Sequence, residues 1–375
     1  HLGVDPARTA LGGHFAALSV ARTAGRVVGS LTYEETSPGF EVNDLGFQQR
    51  ADFRSLSTEL SRRGLVQGSE GLARAFRSWE VGTFGTVSAN FAGDLLALRT
   101  ALFAEATLAN FWEIELFATR SARAYADRLT RGGPLARLPE RLRASLDVSS
   151  DTRRAVIVAF GLAGERDPAG RRAHDLSLAL DVRPTSALRL RLTPTWTVRR
   201  DPDQYLASVD DATATATFGR RHLFGIIDRR ELNLTTRVDW TFSPTLSLQL
   251  FAQPFAAAGR VTTFRSFDRP RAFDFTPLPA VRGGGTVSLD AGGAAPIVLD
   301  EPDFRVRSLR GNAVLRWEFR PGSALFLVWQ QQRSVARDPA LGPLDAPAIG
   351  DDALRTLGDP GTHVLLAKVT WWIGR

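Results

Sequence analysis

Acid–base and metal chemistry in a chain without cysteine falls first to its histidines, His1, His14, His174, His222 and His363. No two of them stand in an HExxH or comparable ligand spacing, so no metal centre is expected. A phosphate-cradling GxxxxGK(S/T) loop and a GxSxG nucleophile elbow are both missing. Two local combinations remain: His174 beside Asp175, and His222 after Arg220 and Arg221. At the rim of a barrel such groups could serve a hydrolase as acid and base. Consecutive residues of a strand face opposite sides, however, so His174 and Asp175 cannot act as a pair inside one. Solvated loop or wall histidines are the simpler reading. No catalytic residue, metal or cofactor is assigned.

A second group of charged residues recurs at every other position. Arg189, Arg191, Arg237, Asp239, Arg310, Arg316 and Glu318 alternate with leucine, valine, alanine and tryptophan. Asp147, Asp175 and Asp181 fall into the same pattern. Facing a lumen, they would form either a ladder of paired charges or an arginine track that favours anionic solutes. Two loop segments mix rings with charges: "PGFEVNDLGF", with Phe40, Asp44 and Phe47, and "RPRAFDF", with Arg271, Phe273 and Asp274. They are candidates for binding a ligand or plugging a lumen, with ordinary packing on the wall as the alternative. Gly283 to Gly285 and "AGGAAP" from Ala291 lack the strand-to-helix setting of a phosphate loop and are expected in a flexible external or pore-inserted loop.

The elements that must position these groups are strands. Period-two alternation is the strongest signal in the chain, and helical periodicity is almost nowhere sustained. In "LRGNAVLRWEFRPGSALFLVWQQQR", Leu309, Ala313, Leu315, Trp317 and Phe319 oppose Arg310, Asn312, Arg316, Glu318 and Arg320. About fifteen such segments are found. They lie near 13–23, 27–36, 53–64, 75–91, 95–108, 111–124, 140–150 and 154–164, then 172–183, 187–200, 229–242, 246–258, 303–320, 324–336 and 361–373. Alternate links are tight turns such as "TAGR", "LAN", "SDTR", "RPTS", "SPT" and "RPGS". The others are long: 37–52, 125–139, 201–228, 259–302 and 337–360, with the short link at Gly93 as an exception. Turns on one side and loops on the other predict an all-β, antiparallel transmembrane barrel of outer-membrane type. Phe111, Trp240, Phe242, Trp317, Phe319 and Trp371 cluster at the turn side, where an aromatic girdle belongs. An arginine facing lipid at mid-bilayer costs about 2–4 kcal/mol, so the charged face is expected inward. A soluble sandwich is the competing fold. Pro194 is expected to mark a bulge.

Bulk properties are compatible. The longest nearly unbroken apolar run, Ala155 to Gly164, is about half of what a membrane-spanning helix needs. Charged residues make up 23% of the chain, and mean hydropathy is −0.11, ordinary for a folded protein. Only Lys368 among the basic residues is a lysine; the arginines are dispersed, so nucleic acid is not an expected partner. Single-chain bacterial barrels usually have an even number of strands. The odd count and the early first strand predict a single barrel domain over 1–375, with its first strands outside it.

Taken together, "HLGVDPART", "SPGFEVNDLGFQQRADF", "DRLTRGGPLARLP", "TFGRRHLF", "FSPTLSLQLFAQPF", "RPRAFDF" and "FRSLRGNAVLRWEFRPGSALFLVWQQQR" resemble the C-terminal barrel of the domain of unknown function 5916 family. That resemblance implies an outer-membrane location in a Gram-negative-type bacterium, downstream of a module similar to family 9 carbohydrate-binding domains. It carries no catalytic residues. The expected function is a channel or receptor-type pore, possible partners being membrane lipid, barrel-insertion machinery, and glycans or other small solutes. The alternatives are a barrel-borne hydrolase and a membrane anchor for a surface module.

Overall fold

The computed structural model describes residues 7, 9–10, 12–44, 46–65, 74–292, 295–337 and 346–373. The chain opens with β1 (Phe15–Arg22), β2 (Val27–Thr36), β3 (Phe53–Leu65), β4 (Phe76–Ala89), β5 (Leu95–Leu108) and β6 (Glu113–Ser121). A short pair, β7 (Ala124–Ala126) and β8 (Ala136–Leu138), precedes β9 (Arg141–Ser149), β10 (Val156–Arg166) and β11 (Arg172–Thr185). Three long strands follow: β12 (Leu188–Asp210), β13 (Arg220–Ser243) and β14 (Leu246–Phe267). Next come the short β15 (Phe275–Leu278), β16 (Ala280–Gly283), β17 (Thr286–Leu289) and β18 (Ile297–Asp300). The chain finishes with β19 (Phe304–Arg320), β20 (Ser323–Arg337), the helix α1 (Ala346–Arg355) and β21 (Thr362–Thr370).

One 16-stranded antiparallel sheet contains every expected strand, in the order β1-β2-β3-β4-β5-β6-β9-β10-β11-β12-β13-β14-β19-β20-β21, with β15 added to β14. Neighbours in the sheet are mostly neighbours in sequence, because tight turns join them. Gly322, at φ 75°, supplies the left-handed residue that the β19–β20 turn requires. Within the described residues the sheet is open: β1 and β21 each pair on one side only.

Several links differ from expectation. Most of 201–228 is strand, since β12 runs to Asp210 and β13 starts at Arg220. Alternation was hidden there by register shifts between Asp201 and Gln204 and between Tyr205 and Ala207. Link 259–302 holds the rest of β14, β15 and a separate three-stranded sheet of β16, β17 and β18. Its "GGG" is a hairpin turn, with Gly284 and Gly285 both at positive φ. Link 337–360 contains α1. The β10–β11 link is as tight as a hairpin turn: Gly170 N–H donates to Asp167 O at 3.3 Å. Pro194 marks no bulge. It keeps register opposite Leu234, and the β11–β12 ladder has no paired residues between Ser177–Thr195 and Leu180–Leu192, where its missing N–H would fall.

Ladder register turns alternation into two continuous surfaces. One row runs Leu116, Leu146, Leu162, Leu176, Trp196, Leu232, Ala256 across β6 to β14. Another runs Leu190, Val238, Leu250, Ala313, Trp329, Leu365 to the last strand. These rows are uncovered over most of their length; Leu116, Leu190 and Leu365 expose 49%, 38% and 81% of their surface. The opposite face carries the charges.

The sheet curls over that charged face. Ser61 and Ala101 are 2% exposed there, whereas their chain neighbours Leu60 and Leu102, on the apolar face, are 54% and 66% exposed. Loop contacts require a curl. Arg271, four residues beyond β14, reaches Asp94 at the start of β5, although β6, β9, β10, β11, β12 and β13 intervene. A flat sheet would hold those strands about 34 Å apart, beyond the roughly 14 Å that four residues span plus one side chain.

Beyond the apolar rows, the long strands are covered on both sides. Leu223, Ile227, Val261 and Phe264 pack with Val287 and Leu289 of the three-stranded sheet. On the other side Phe224 and Phe267 pack with Ala136 of β8, Leu129, Tyr205 and Phe275. Phe224 meets Tyr205 and Phe275 edge-on, with centroids 5.5 and 5.2 Å away. Phe224→Ala is therefore expected to destabilise this rim by about 3 kcal/mol. Amide exchange should rise by roughly a hundredfold in 220–227 and 263–267 and stay unchanged in 232–242; unaltered rim protection would show that this core does not hold the loops.

Candidate functional site

Two features could carry function: the charged face of the sheet and the loops gathered at one rim. Register places Arg189, Arg191, Arg237, Asp239, Arg310, Arg316 and Glu318 on one face. Arg189 and Arg191 share the carboxylate of Asp181, with N–O distances of 2.5 and 3.2 Å, and Arg183 lies 3.7 Å from it. Arg316 pairs with Glu318 at 2.6 Å, while Asp239 sits opposite Arg189 in the ladder. Arg237 lies over the Phe251 ring at 5.5 Å. Neither Arg237 nor Arg310 forms an ion pair among the described residues. The wall thus combines paired charges with free guanidinium groups.

A row of acids escaped the sequence reading. Glu80, Glu105, Glu115 and Asp147 stand directly opposite one another on β4, β5, β6 and β9. Ser61 Oγ donates to Glu80 Oε1 at 2.5 Å. The row continues through Gly161, Ser177, Thr195 and Asn233. Only the pairing register, which no local motif discloses, brings these acids together. The charged face therefore carries an aligned row of carboxylates over β4 to β9, and over β11 to β19 arginines interspersed with Asp175, Asp181, Asp239 and Glu318.

On the apolar face, Trp240 and Phe242 stack at 4.4 Å, and Phe319 lies 5.9 Å from Trp317 and 5.4 Å from Trp371. Phe111 is a correction. It occupies the β5–β6 turn at φ 64°, under the guanidinium groups of Arg77 and Arg153, instead of joining those rings.

At the rim, Arg271 is the hub. Its guanidinium donates to Asp94 Oδ1 at 2.5 Å and lies over the Tyr125 ring at 4.4 Å, and its N–H donates to Leu135 O at 2.6 Å. Arg271 and Asn90 hold the Asp94 carboxyl below the usual carboxylate range. Arg50 pairs with Asp127, and Arg128 donates to Gln49 O at 2.6 Å, tying the 37–52 link to 124–138. The other loop candidates stay out of this network. Phe40 tilts against Phe15, Asp44 is exposed and Phe47 is 88% exposed. Phe273 packs on Phe275, and Asp274 accepts from Arg269 at 2.6 Å.

The histidines are scattered. His1 lies outside the described residues. His14 contacts Glu35 at 2.9 Å, and His363 accepts from Trp329 Nε1 at 3.2 Å. His174 faces the apolar side between Gly164 and Val198. Asp175, on the opposite face, accepts from Thr197 Oγ1 at 2.9 Å. Among the described residues no cluster of three or more His, Asp or Glu is placed to hold a metal.

His222 is 3% exposed, and its buried Nδ1 has no hydrogen-bond partner among the described residues. A Cβ at Gly133 would stand 2.4 Å from its Cε1 and Nε2, so only glycine lets the 124–138 loop lie so close. Burial first, and Arg220 second, hold the imidazole below its ordinary value. An opened loop would return it to about 6.5. The opened state then binds the extra proton, so closure is fully stable above that value and weakens as pH falls below it. Amide exchange in 124–138 and 220–224 should accelerate between about pH 7 and about pH 5, and His222→Gln should flatten that dependence. A wild-type profile that is already flat would remove His222 as its cause.

No curated protein matches the chain. Residues 5–342 match the family described as Domain of unknown function (DUF5916). The match covers most of the sheet, the wall of charges and the Arg271 rim, and the chain belongs to this family.

Proposed function

We propose that this chain is the wall of an outer-membrane β-barrel acting as a channel or receptor-type pore for polar solutes in a Gram-negative-type bacterium. One observation carries the reading: apolar rows that together run from β6 to β21 are uncovered over most of their length, while charges fill the other face. Water around those rows would be unfavourable at about 25 cal/mol per Å². Hydrocarbon removes the penalty, and the curl encloses the charges.

The long strands carry apolar stretches of the length a crossing requires. Leu232 to Phe242 provides about the 9–11 residues of a transmembrane strand, and the remainder of β13 rises clear. The paired rings beside the tight turns fit the interfacial girdle. Closing such a meander follows a parity rule. The fifteen strands on the main path alternate in direction, leaving β1 and β21 parallel, so closure takes one parallel pair or an odd number of additional strands. Barrel-insertion machinery is the partner that the exposed β21 suits.

This mixed wall suits a solute recognised by polar groups of both signs, such as a hydroxyl-rich saccharide; the carbohydrate association itself rests on family architecture. The Arg271 network favours a second reading, an anchor whose mouth is closed by its loops. Planar-bilayer recording separates the two. Arg271→Ala is expected to raise open probability severalfold at unchanged single-channel conductance. Inserted protein that passes no current, with or without Arg271, would leave the anchor. Leu178→Arg should lower refolding into vesicles by about 2–4 kcal/mol, whereas Ser177→Arg, on the other face, should cost much less. Equal losses would contradict the assignment of faces.

A further inference from the structure

We propose that α1 is an interfacial lipid-binding element, docking the outer leaflet on Leu354 and Leu357 and drawing lipid phosphates to Arg230 and Arg333. The proposal rests on the membrane reading and assigns part of it to a helix inside a link that the sequence reads only as a loop.

The helix sits on the apolar face at its upper limit. Ile349 and Ala353, 0% and 5% exposed, pack on Ala256 and Ala258, with Trp196 and Leu232 beside them. Trp196, Leu232 and Ala256 form one of the apolar rows. One step farther from the turns the row reads Val198, Arg230, Ala258, so charge enters at the upper of the two levels the helix covers. Side chains fix it there. Arg305 Nε donates to Asp352 Oδ2 at 2.6 Å, and Arg307 pairs with Asp359 at 2.5 Å. Arg333 donates to the carbonyls of Thr356 and Leu357.

A helix with only a protein face to satisfy would show water a polar remainder. Here Leu354 of α1 and Leu357 of the 3-10 turn that follows it (Thr356–Gly358) remain 69% and 63% exposed. The helix also carries Asp351 and Arg355, paired at 2.7 Å. Arg230 has no ion pair among the described residues, and Arg333 meets only carbonyls, so no carboxylate among the described residues pairs with either. Guanidinium groups at the upper edge of a hydrocarbon belt match lipid phosphates in sign and geometry. A membrane leaflet supplies acyl chains below and phosphates above in this arrangement.

The absence of native cysteine allows the test. Leu354→Cys, Leu357→Cys and, as a reference in the apolar rows, Leu190→Cys would each carry a nitroxide label in the full chain, refolded into phosphatidylcholine–phosphatidylglycerol vesicles. All three labels should collide with oxygen at least about twofold more than with a water-soluble nickel chelate, relative to a label in water. Arg230→Gln with Arg333→Gln should move the 354 label toward the chelate. Lipid-like behaviour at 190 with water-like behaviour at 354 and 357 would overturn this inference and leave the membrane reading standing. Water-like behaviour at 190 would overturn both. Shielding of 354 and 357 from both reagents would point to a protein partner and likewise overturn it.

Discussion

Everything in this fold depends on preserved parity. A strand can present apolar groups to one side and charged groups to the other only while its neighbours keep the same phase, because a slip of one residue exchanges the faces. Register shifts do occur: at Phe76/Ser78 and Ser88/Ala89, at Val182/Thr185, at Thr241/Ser243 and Glu318/Arg320, and in the upper parts of β12 to β14. All lie beside turns or beyond the apolar rows. Between them the ladders run unbroken, so leucine meets leucine across successive strands. The bulges bend the strand ends without disturbing the central band.

Where the rows stop, packing changes character. Adjacent residues Leu223 and Phe224 are both fully buried, one under the three-stranded sheet and the other under the β7–β8 loop. In the central band adjacent residues are both buried at Ala256 and Ala257, where α1 covers the row. The same strands therefore serve two environments along their length: a single layer with one uncovered apolar face, then a protein-packed rim. α1 lies on the border between them, which is why one helix combines buried ion pairs with exposed leucines.

The band was legible in the sequence and the rim was not, for a physical reason. Period two is imposed wherever a strand separates unlike surroundings, as in Leu188 to Val198 or Leu309 to Phe319, and all of those strands form. Strands buried on both sides lose the alternation, so Arg220 to Asp228 read as a loop, and a bulge at Pro202 and Asp203 completed the disguise. α1 was missed because ten residues with a narrow apolar stripe make a weak helical signal. Arg271 was found as a loop candidate by its company of aromatics and acids. Its partner Asp94 was not, since nothing local relates two residues held together only by the curl. Phe111 was assigned from strand-end position, which says nothing about a residue inside the turn.

The acidic row adds an argument about the enclosed side that composition could not supply. Adjacent strands in a sheet stand about 4.8 Å apart. At that separation two carboxylates repel by roughly 1 kcal/mol in water but about 3–4 kcal/mol at an effective dielectric of 20. Glu80, Glu105, Glu115 and Asp147 make three such neighbouring pairs. With all four ionised, a dry wall would carry of order 10 kcal/mol of repulsion, comparable with the whole stability of an ordinary domain. A wet one carries about a quarter of that. The row is tolerable where water or counter-ions reach it, and Glu105, Glu115 and Asp147 are indeed exposed. The charged face is thus solvated while the leucine face offers nothing to water, and a single layer of strands separates the two.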